Sequence, residues 1–121
     1  MIININKPIG WTSFDVVKKV RGIIKEKKVG HAGTLDPFAK GVLVLGTEPD
    51  TKKLTNIATA KKTYRANLNL GKATDTLDLD GKISAEAVVP ELTKETIASV
   101  LASFIGTQEQ IPPMYSAKHV N

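Results

Sequence analysis

The most regular alternation of apolar and polar positions lies in KTYRANLNLG, where Tyr64, Ala66, Leu68 and Leu70 alternate with Thr63, Arg65, Asn67 and Asn69. A period of two puts each set on one face of an extended chain, so the segment is predicted to be a β-strand. At the start, MIIN is a short apolar run of strand type, closed by KPIG, where Pro8 fixes its own φ. GVLVLG, from Gly41 to Gly46, is apolar throughout, the pattern of a strand buried on both faces. The period changes in TSFDVVKKVRGIIKEKK: Phe14, Val17, Val20 and Ile24 recur at three or four residues with lysines between them. That spacing predicts an amphipathic helix, capped by Ser13 and ending near Lys28.

Weaker signals fill the remainder. A short helix is predicted around Lys52 to Ala58, and Asp80-Gly81 in the acidic stretch KATDTLDLDGKI marks a hairpin turn. Thr93 caps a further helix with Ile97, Val100, Leu101 and Phe104 on one side and Gly106 as its stop. QIPPMYSAKHVN carries two prolines and is read as extended. Helices and strands thus intersperse around a hairpin, which gives an α+β class. No repeat, low-complexity tract or linker divides the 121 residues, so one domain is expected.

Composition narrows the chemistry. Seventeen basic against twelve acidic side chains leave a net charge of +5, a balance that suits a polyanionic partner, nucleic acid first, and equally an ordinary solvated surface. Lys18, Lys19, Arg21, Lys25, Lys27 and Lys28, with Lys61, Lys62 and Arg65, are the candidates for following phosphates. The chain has no cysteine, which removes thiol nucleophiles, disulfides and thiolate zinc sites and suits a reducing compartment. With no apolar run of the length a bilayer requires and no signal-peptide pattern at the start, a cytoplasmic protein without a membrane partner is expected. Asp75, Asp78 and Asp80 before Gly81 depart from calcium-loop spacing, and His31 and His119 have no metal-ligand spacing, so no metal is expected.

GHAGTLDPFAKGVL raises the sharpest chemical question. Gly33 and Pro37 restrict the backbone around Asp36 and the apolar run beyond offers a rigid base, conditions under which a carboxylate serves as nucleophile or general base. Asp before Pro is a turn signal first, and the residues alone favour that reading. Tyr64 likewise reads either as a core aromatic or as a ring that stacks on a base.

This stretch resembles the catalytic motif of the TruB family of tRNA pseudouridine synthases, roughly G-H-x-G-[TA]-L-D-P-x-A-x-G-[VM]-L. INKPIGWTSFDVV is similar to the family's K-P-x-G-x-[TS]-S motif, KTYRANLNLGKATDTLDLDG to its K-x-Y-x-A-x-x-x-L-G-x-x-T-D-T-x-D-x-x-G motif, and QIPPMYSAKHVN to its Q-x-P-P-x-[YF]-S-A segment. The resemblance implies isomerisation of a specific uridine in the T-loop of tRNA, position 55, to pseudouridine. Asp36 matches the catalytic aspartate, Tyr64 the tyrosine that stacks on the flipped uracil, and His31 the histidine that helps displace the base. Gly33, Thr34, Lys7, Arg65, Tyr115 and Lys118 fall in the same motifs and are expected among the substrate-binding residues. No cofactor is implied, because the reaction has no net redox change and no group donor. The T-arm of tRNA is the expected partner and a monomer the expected state. A tRNA-binding or remodelling module without chemistry is the alternative.

The resemblance also implies a mixed, largely antiparallel sheet flanked by helices, the pseudouridine synthase fold, held incompletely. Residues 1–121 correspond to the N-terminal portion of the catalytic domain. The segment bearing the arginine that pairs with the catalytic aspartate is expected to lie beyond them, as is any C-terminal RNA-binding domain, and little or no turnover is expected of the chain alone.

Overall fold

The computed structural model describes residues 1–111. Contacts divide the chain into two compact units, Met1–Tyr64 and the residues from Arg65 onward. The first holds β1 (Ile2–Lys7), α1 (Ser13–Ile24), β2 (Val29–His31), β3 (Gly41–Thr47), a 3₁₀ turn (Glu48–Lys53) and α2 (Leu54–Ala58). Its three strands form an antiparallel sheet in the order β1-β3-β2. β3 is therefore the central strand, with Ile2 opposite Gly46, Ile5 opposite Leu43, Lys7 opposite Gly41, and His31 opposite Leu45.

Val16 and Val17 of α1 pack with Val29, Leu43 and Leu45 to make the core, and Ile3, Ile5, Val20, Ile24 and Leu35 close around it. The continuous apolar run of β3 is buried along one face and only in part on the other: Leu43 and Leu45 are inside, whereas on the opposite face Val42 is 70% exposed, Val44 is half-buried and Gly46 is buried. The expectation of a strand covered on both faces holds only at the Gly46 end, where Leu54 stands against it; α1 packs on the core face. Near its end β3 also takes α2. Gly30 and Gly46 face each other across β2 and β3, and Leu54 lies so close that a Cβ at Gly46 would stand 3.0 Å from its Cγ.

The cap of α1 is Thr12, one residue before the expected Ser13. Thr12 and Asp15 form a reciprocal capping box: the Thr12 hydroxyl accepts from the Asp15 amide at 3.0 Å and the Thr12 amide donates to Asp15 Oδ2 at 2.9 Å. The helix stops at Ile24, ahead of the expected Lys28, because Lys25 takes a left-handed conformation (φ 57°) and returns its N–H to the Arg21 carbonyl. The turn after β3 closes back on the chain start, where Asp50 receives the Met1 ammonium and Lys53, each at 2.8 Å. Hydrogen bonds from Lys53 and from the Met1 ammonium lower the Asp50 carboxyl to about 2. A carboxylate held down in the folded state adds stability that is present above its unfolded value near 3.8 and is lost as pH falls toward 2. Urea midpoints of the parent should therefore decline between pH 4 and 2 more steeply than those of Asp50→Asn. Equal slopes would remove Asp50 from the acid response.

The second unit carries β4 (Lys72–Thr74), β5 (Ile83–Glu86) and α3 (Lys94–Ser103). β4 and β5 pair as an antiparallel hairpin with an irregularity at Ala73 and Thr74. The predicted turn at Asp80-Gly81 lies in its connecting loop, which is longer than a two-residue turn and is organised by its own carboxylates. Asp78 Oδ1 accepts from the Thr76 hydroxyl at 2.6 Å and the Asp80 amide at 2.9 Å, and Asp75 Oδ1 from the Lys82 amide at 2.9 Å. The Thr76 hydroxyl, followed by backbone amides, holds the Asp78 carboxyl below its ordinary value. Thr93 caps α3 through the Thr96 amide as expected.

One strong prediction fails. KTYRANLNLG alternates without a break, yet residues 62–69 form no strand. A strand needs a neighbour for its backbone hydrogen bonds, and among the described residues no strand pairs with this one. Its apolar side chains stay open, Tyr64 at 70% and Leu68 at 84% exposure.

Candidate active site

The β2–β3 connection carries most of the predicted site, and its shape follows from a few local choices. β2 runs out at His31, whose Nδ1 donates to the Gly33 carbonyl at 2.7 Å. That bond sets the ring against its own loop and leaves Nε2 available. Gly33 has φ +92°, a backbone state a side chain would resist. Asp36, Pro37, Phe38 and Ala39 then make a β-turn, closed by the Ala39 amide on the Asp36 carbonyl at 3.0 Å, with Pro37 supplying the φ that the second turn position requires. The turn reading of Asp-Pro is thus correct, and it does not compete with a chemical one: the carbonyl of Asp36 closes the turn while its side chain is exposed. Among the described residues no ion pair engages the Asp36 carboxylate.

The segment between β1 and α1 pins this turn from outside. The Gly10 amide donates to the Pro37 carbonyl at 2.7 Å. Lys7, at the end of β1, is fully buried, and its ammonium donates to the carbonyls of Trp11 at 2.6 Å, Pro8 at 3.0 Å and Pro37 at 3.4 Å. Burying an ammonium costs several kcal/mol unless such acceptors replace its water; here they do. Lys7, expected among the substrate-binding residues, is thus buried with its cation on backbone carbonyls, one of them next to Asp36. On the other flank of Asp36, Leu35 is bound through both its amide and its carbonyl to Ser13 Oγ.

The structure therefore joins His31, Gly33, Thr34, Asp36 and Lys7 in one loop and its mooring. Thr34 is exposed within that loop. Tyr64 ends the first unit with its ring exposed, and Arg65 begins the second. Tyr115 and Lys118 lie outside the described residues. Gly10 and Ser13 are loop anchors that the sequence patterns do not single out; the spacing of Thr12 and Asp15 is the available signal, since a Thr-x-x-Asp box assigns the cap to Thr12 and leaves the Ser13 hydroxyl for other use.

Residues 21–121 match the model of the TruB family pseudouridylate synthases, N-terminal domain. The chain belongs to the TruB family. Among curated relatives, tRNA pseudouridine synthase B of Clostridium perfringens strain 13 is 51% identical over 120 residues, covering 99% of this chain and 41% of the relative. The tRNA pseudouridine synthase B of Lactococcus lactis subsp. lactis is 49% identical over 121 residues, covering 99% of this chain and 37% of the relative. This TruB-family chain thus spans about two fifths of the length of the relatives it matches. Among solved structures, a chain of a Cbf5–Nop10–Gar1 complex superposes with a TM-score of 0.62 at 26% identity, covering 96% of this chain and 30% of that one. The antiparallel sheets and helices described above agree with an α+β TruB-family segment. Lys7, Gly10 and Ser13 precede the matched family domain, whereas nearly the whole chain, 99% of it, is shared with the relatives.

Proposed function

We propose that this chain supplies the catalytic-aspartate segment of an enzyme that converts uridine 55 in the T-loop of tRNA to pseudouridine, with Asp36 as the reacting carboxylate. The observation that carries the reading is the placement of Asp36: an exposed carboxylate on a turn whose backbone is fixed on both flanks. The names of the relatives support the reaction and the RNA class. In the isomerisation the C1′–N1 bond breaks, the uracil turns, and C5 bonds to C1′; C5 then loses its proton and N1, freed from C1′, gains one, so nothing is added or removed overall. As C1′ gains positive character a carboxylate beside it lowers the barrier, either through charge or by attack.

The target nucleotide has to leave its stack, at a cost of a few kcal/mol that new stacking recovers. Tyr64 is proposed as the stacking ring and His31 as the side chain that takes the vacated place, offering Nε2 to the nucleotide while Nδ1 stays with Gly33. RNA attraction is assigned to the first unit. Residues 1–64 contain twelve Lys and Arg against five Asp and Glu, a net +7, whereas residues 65–121 contain five against seven. Replacing Lys18 and Lys19 together by Ala should flatten the plot of log affinity for a T-arm hairpin against log salt by about 1 to 2, at roughly 0.7–0.9 per lost phosphate contact. An unchanged slope would take these two lysines out of the interface.

The reaction itself is tested with a T-arm transcript tritiated at uridine C5, where bond formation to C1′ releases the label. Both the 121-residue chain and a fusion should be assayed, the fusion carrying residues 1–121 in place of the matching 120 residues of the Clostridium perfringens relative. Release from the single T-loop uridine by the fusion is expected. RNA binding by the fusion with no release would favour the non-catalytic binding module.

A further inference from the structure

Ser13 has no part in capping α1 and none in the chemistry assigned above, yet it is 3% exposed and fully hydrogen-bonded. Its Oγ accepts from the Leu35 amide at 2.9 Å and donates to the Leu35 carbonyl at 3.2 Å. One hydroxyl thereby satisfies both backbone groups of the residue immediately before Asp36, the service a neighbouring strand performs inside a sheet. The Leu35 side chain packs against the core cluster. After Asp36, the Pro37 carbonyl is held by Gly10 at 2.7 Å. The backbone of Asp36 is thus suspended between two moorings, of which the one before it depends on a single side-chain oxygen.

We propose that Ser13 is a positioning residue: it touches no substrate and fixes the direction in which the Asp36 carboxylate leaves the loop. This rests on the reading of Asp36 as the reacting group. Without Oγ the Leu35 peptide groups are free to turn, and the plane of the Leu35–Asp36 peptide turns with them. Sheet register does not depend on Ser13, because β1 and β3 pair through their own ladder from Ile2–Gly46 to Lys7–Gly41. The loss should therefore stay in the loop. A displacement of about 1 Å at a reacting group costs roughly 10²-fold in rate.

Ser13→Ala and Ser13→Thr separate positioning from general support. In the 121-residue chain, amide exchange and ¹⁵N relaxation are read residue by residue. Ser13→Ala should speed exchange at Leu35 by about tenfold or more, the size of one lost hydrogen bond. It should also loosen Asp36 and Phe38, with the ladder amides of Ile3, Ile5, Leu43 and Leu45 unchanged. Ser13→Thr, which keeps the hydroxyl, should restore the parent pattern. In the tritium assay, Ser13→Ala should lower kcat by about 10- to 100-fold at unchanged KM, and Ser13→Thr should recover most of the rate. A loop as ordered in Ser13→Ala as in the parent would overturn the proposal. So would ladder amides that weaken along with the loop, or a rate loss shared equally by kcat and KM. Should the parent fusion release no tritium, the catalytic reading of Asp36 fails, while the exchange pattern still decides whether Ser13 holds the Asp36 backbone.

Discussion

Asp36→Asn is expected to abolish tritium release in the fusion, by about 10³-fold or more, and to leave its RNA affinity and melting temperature close to the parent's. The asymmetry comes from the two separate uses of this residue. Its carbonyl closes the turn onto the Ala39 amide at 3.0 Å, a bond that the substitution keeps, and asparagine is as good as aspartate at the first position of such a turn. Its carboxylate lies exposed and meets no ion-pair partner among the described residues. Only the negative charge is removed, and with it the group proposed to meet the positive charge growing at C1′. In the proposed reading, binding draws on phosphates and base stacking, neither of which the side-chain amide disturbs. A variant that loses RNA affinity in step with activity would place Asp36 in binding instead of chemistry.

Leu45→Ala is expected to destabilise the first unit by about 3–5 kcal/mol and to bring it close to unfolding. Leu45 is fully buried at the centre of the middle strand, among Val16, Val17, Val29 and Leu43. Truncating a core leucine to alanine costs about 3–5 kcal/mol, part transfer and part cavity. At about 0.05–0.15 kcal/mol per residue, a compact unit the size of Met1–Tyr64 holds only about 3–10 kcal/mol in total. One substitution therefore removes about 30% of the margin at the least. Leu45 also stands opposite His31 across the sheet, so the candidate site should fail together with the core. Urea denaturation followed at Trp11 measures the loss; a shift below about 1 kcal/mol would mean that the surrounding side chains collapse into the gap.

Local patterns that carry their own reason are legible in the sequence. The helix with Val17, Val20 and Ile24 toward the core, the hairpin around Asp80-Gly81, the Thr93 cap and the turn at Asp36-Pro37 each need only neighbouring residues to be specified, although Phe14, placed on the same apolar face, is 61% exposed and Val16 is buried. Tyr64 to Leu70 shows the converse. A period of two states which face a segment would present if it were paired, and contains nothing about a partner. The burial of Lys7 is equally hidden, because a lysine is normally solvated and the acceptors that hold it come from Pro8, Trp11 and the distant Pro37. Ser13 misleads for a narrower reason: adjacent Thr12 and Ser13 are both good caps, and Asp15 decides between them.

The pairing of β1 with β3 joins residues some forty positions apart, Ile2 to Gly46 at one end and Lys7 to Gly41 at the other. Contacts of such long range have to close a large loop before they gain anything, so they form late in folding. Lys7, Gly10 and Ser13 all belong to β1 or to the chain just after it, and all three reach the Asp36 turn. A chain that has made α1 and the β2–β3 hairpin but not the β1–β3 pairing has every residue of the turn and lacks the mooring that Lys7 and Gly10 supply through the Pro37 carbonyl. Because side chains alternate along a strand, a slip of one residue between β1 and β3 would turn Lys7 to the opposite face of the sheet. Correct alignment of the first seven residues is therefore a condition for bringing Lys7 and Gly10 against the Pro37 carbonyl, beside the carboxylate proposed to react.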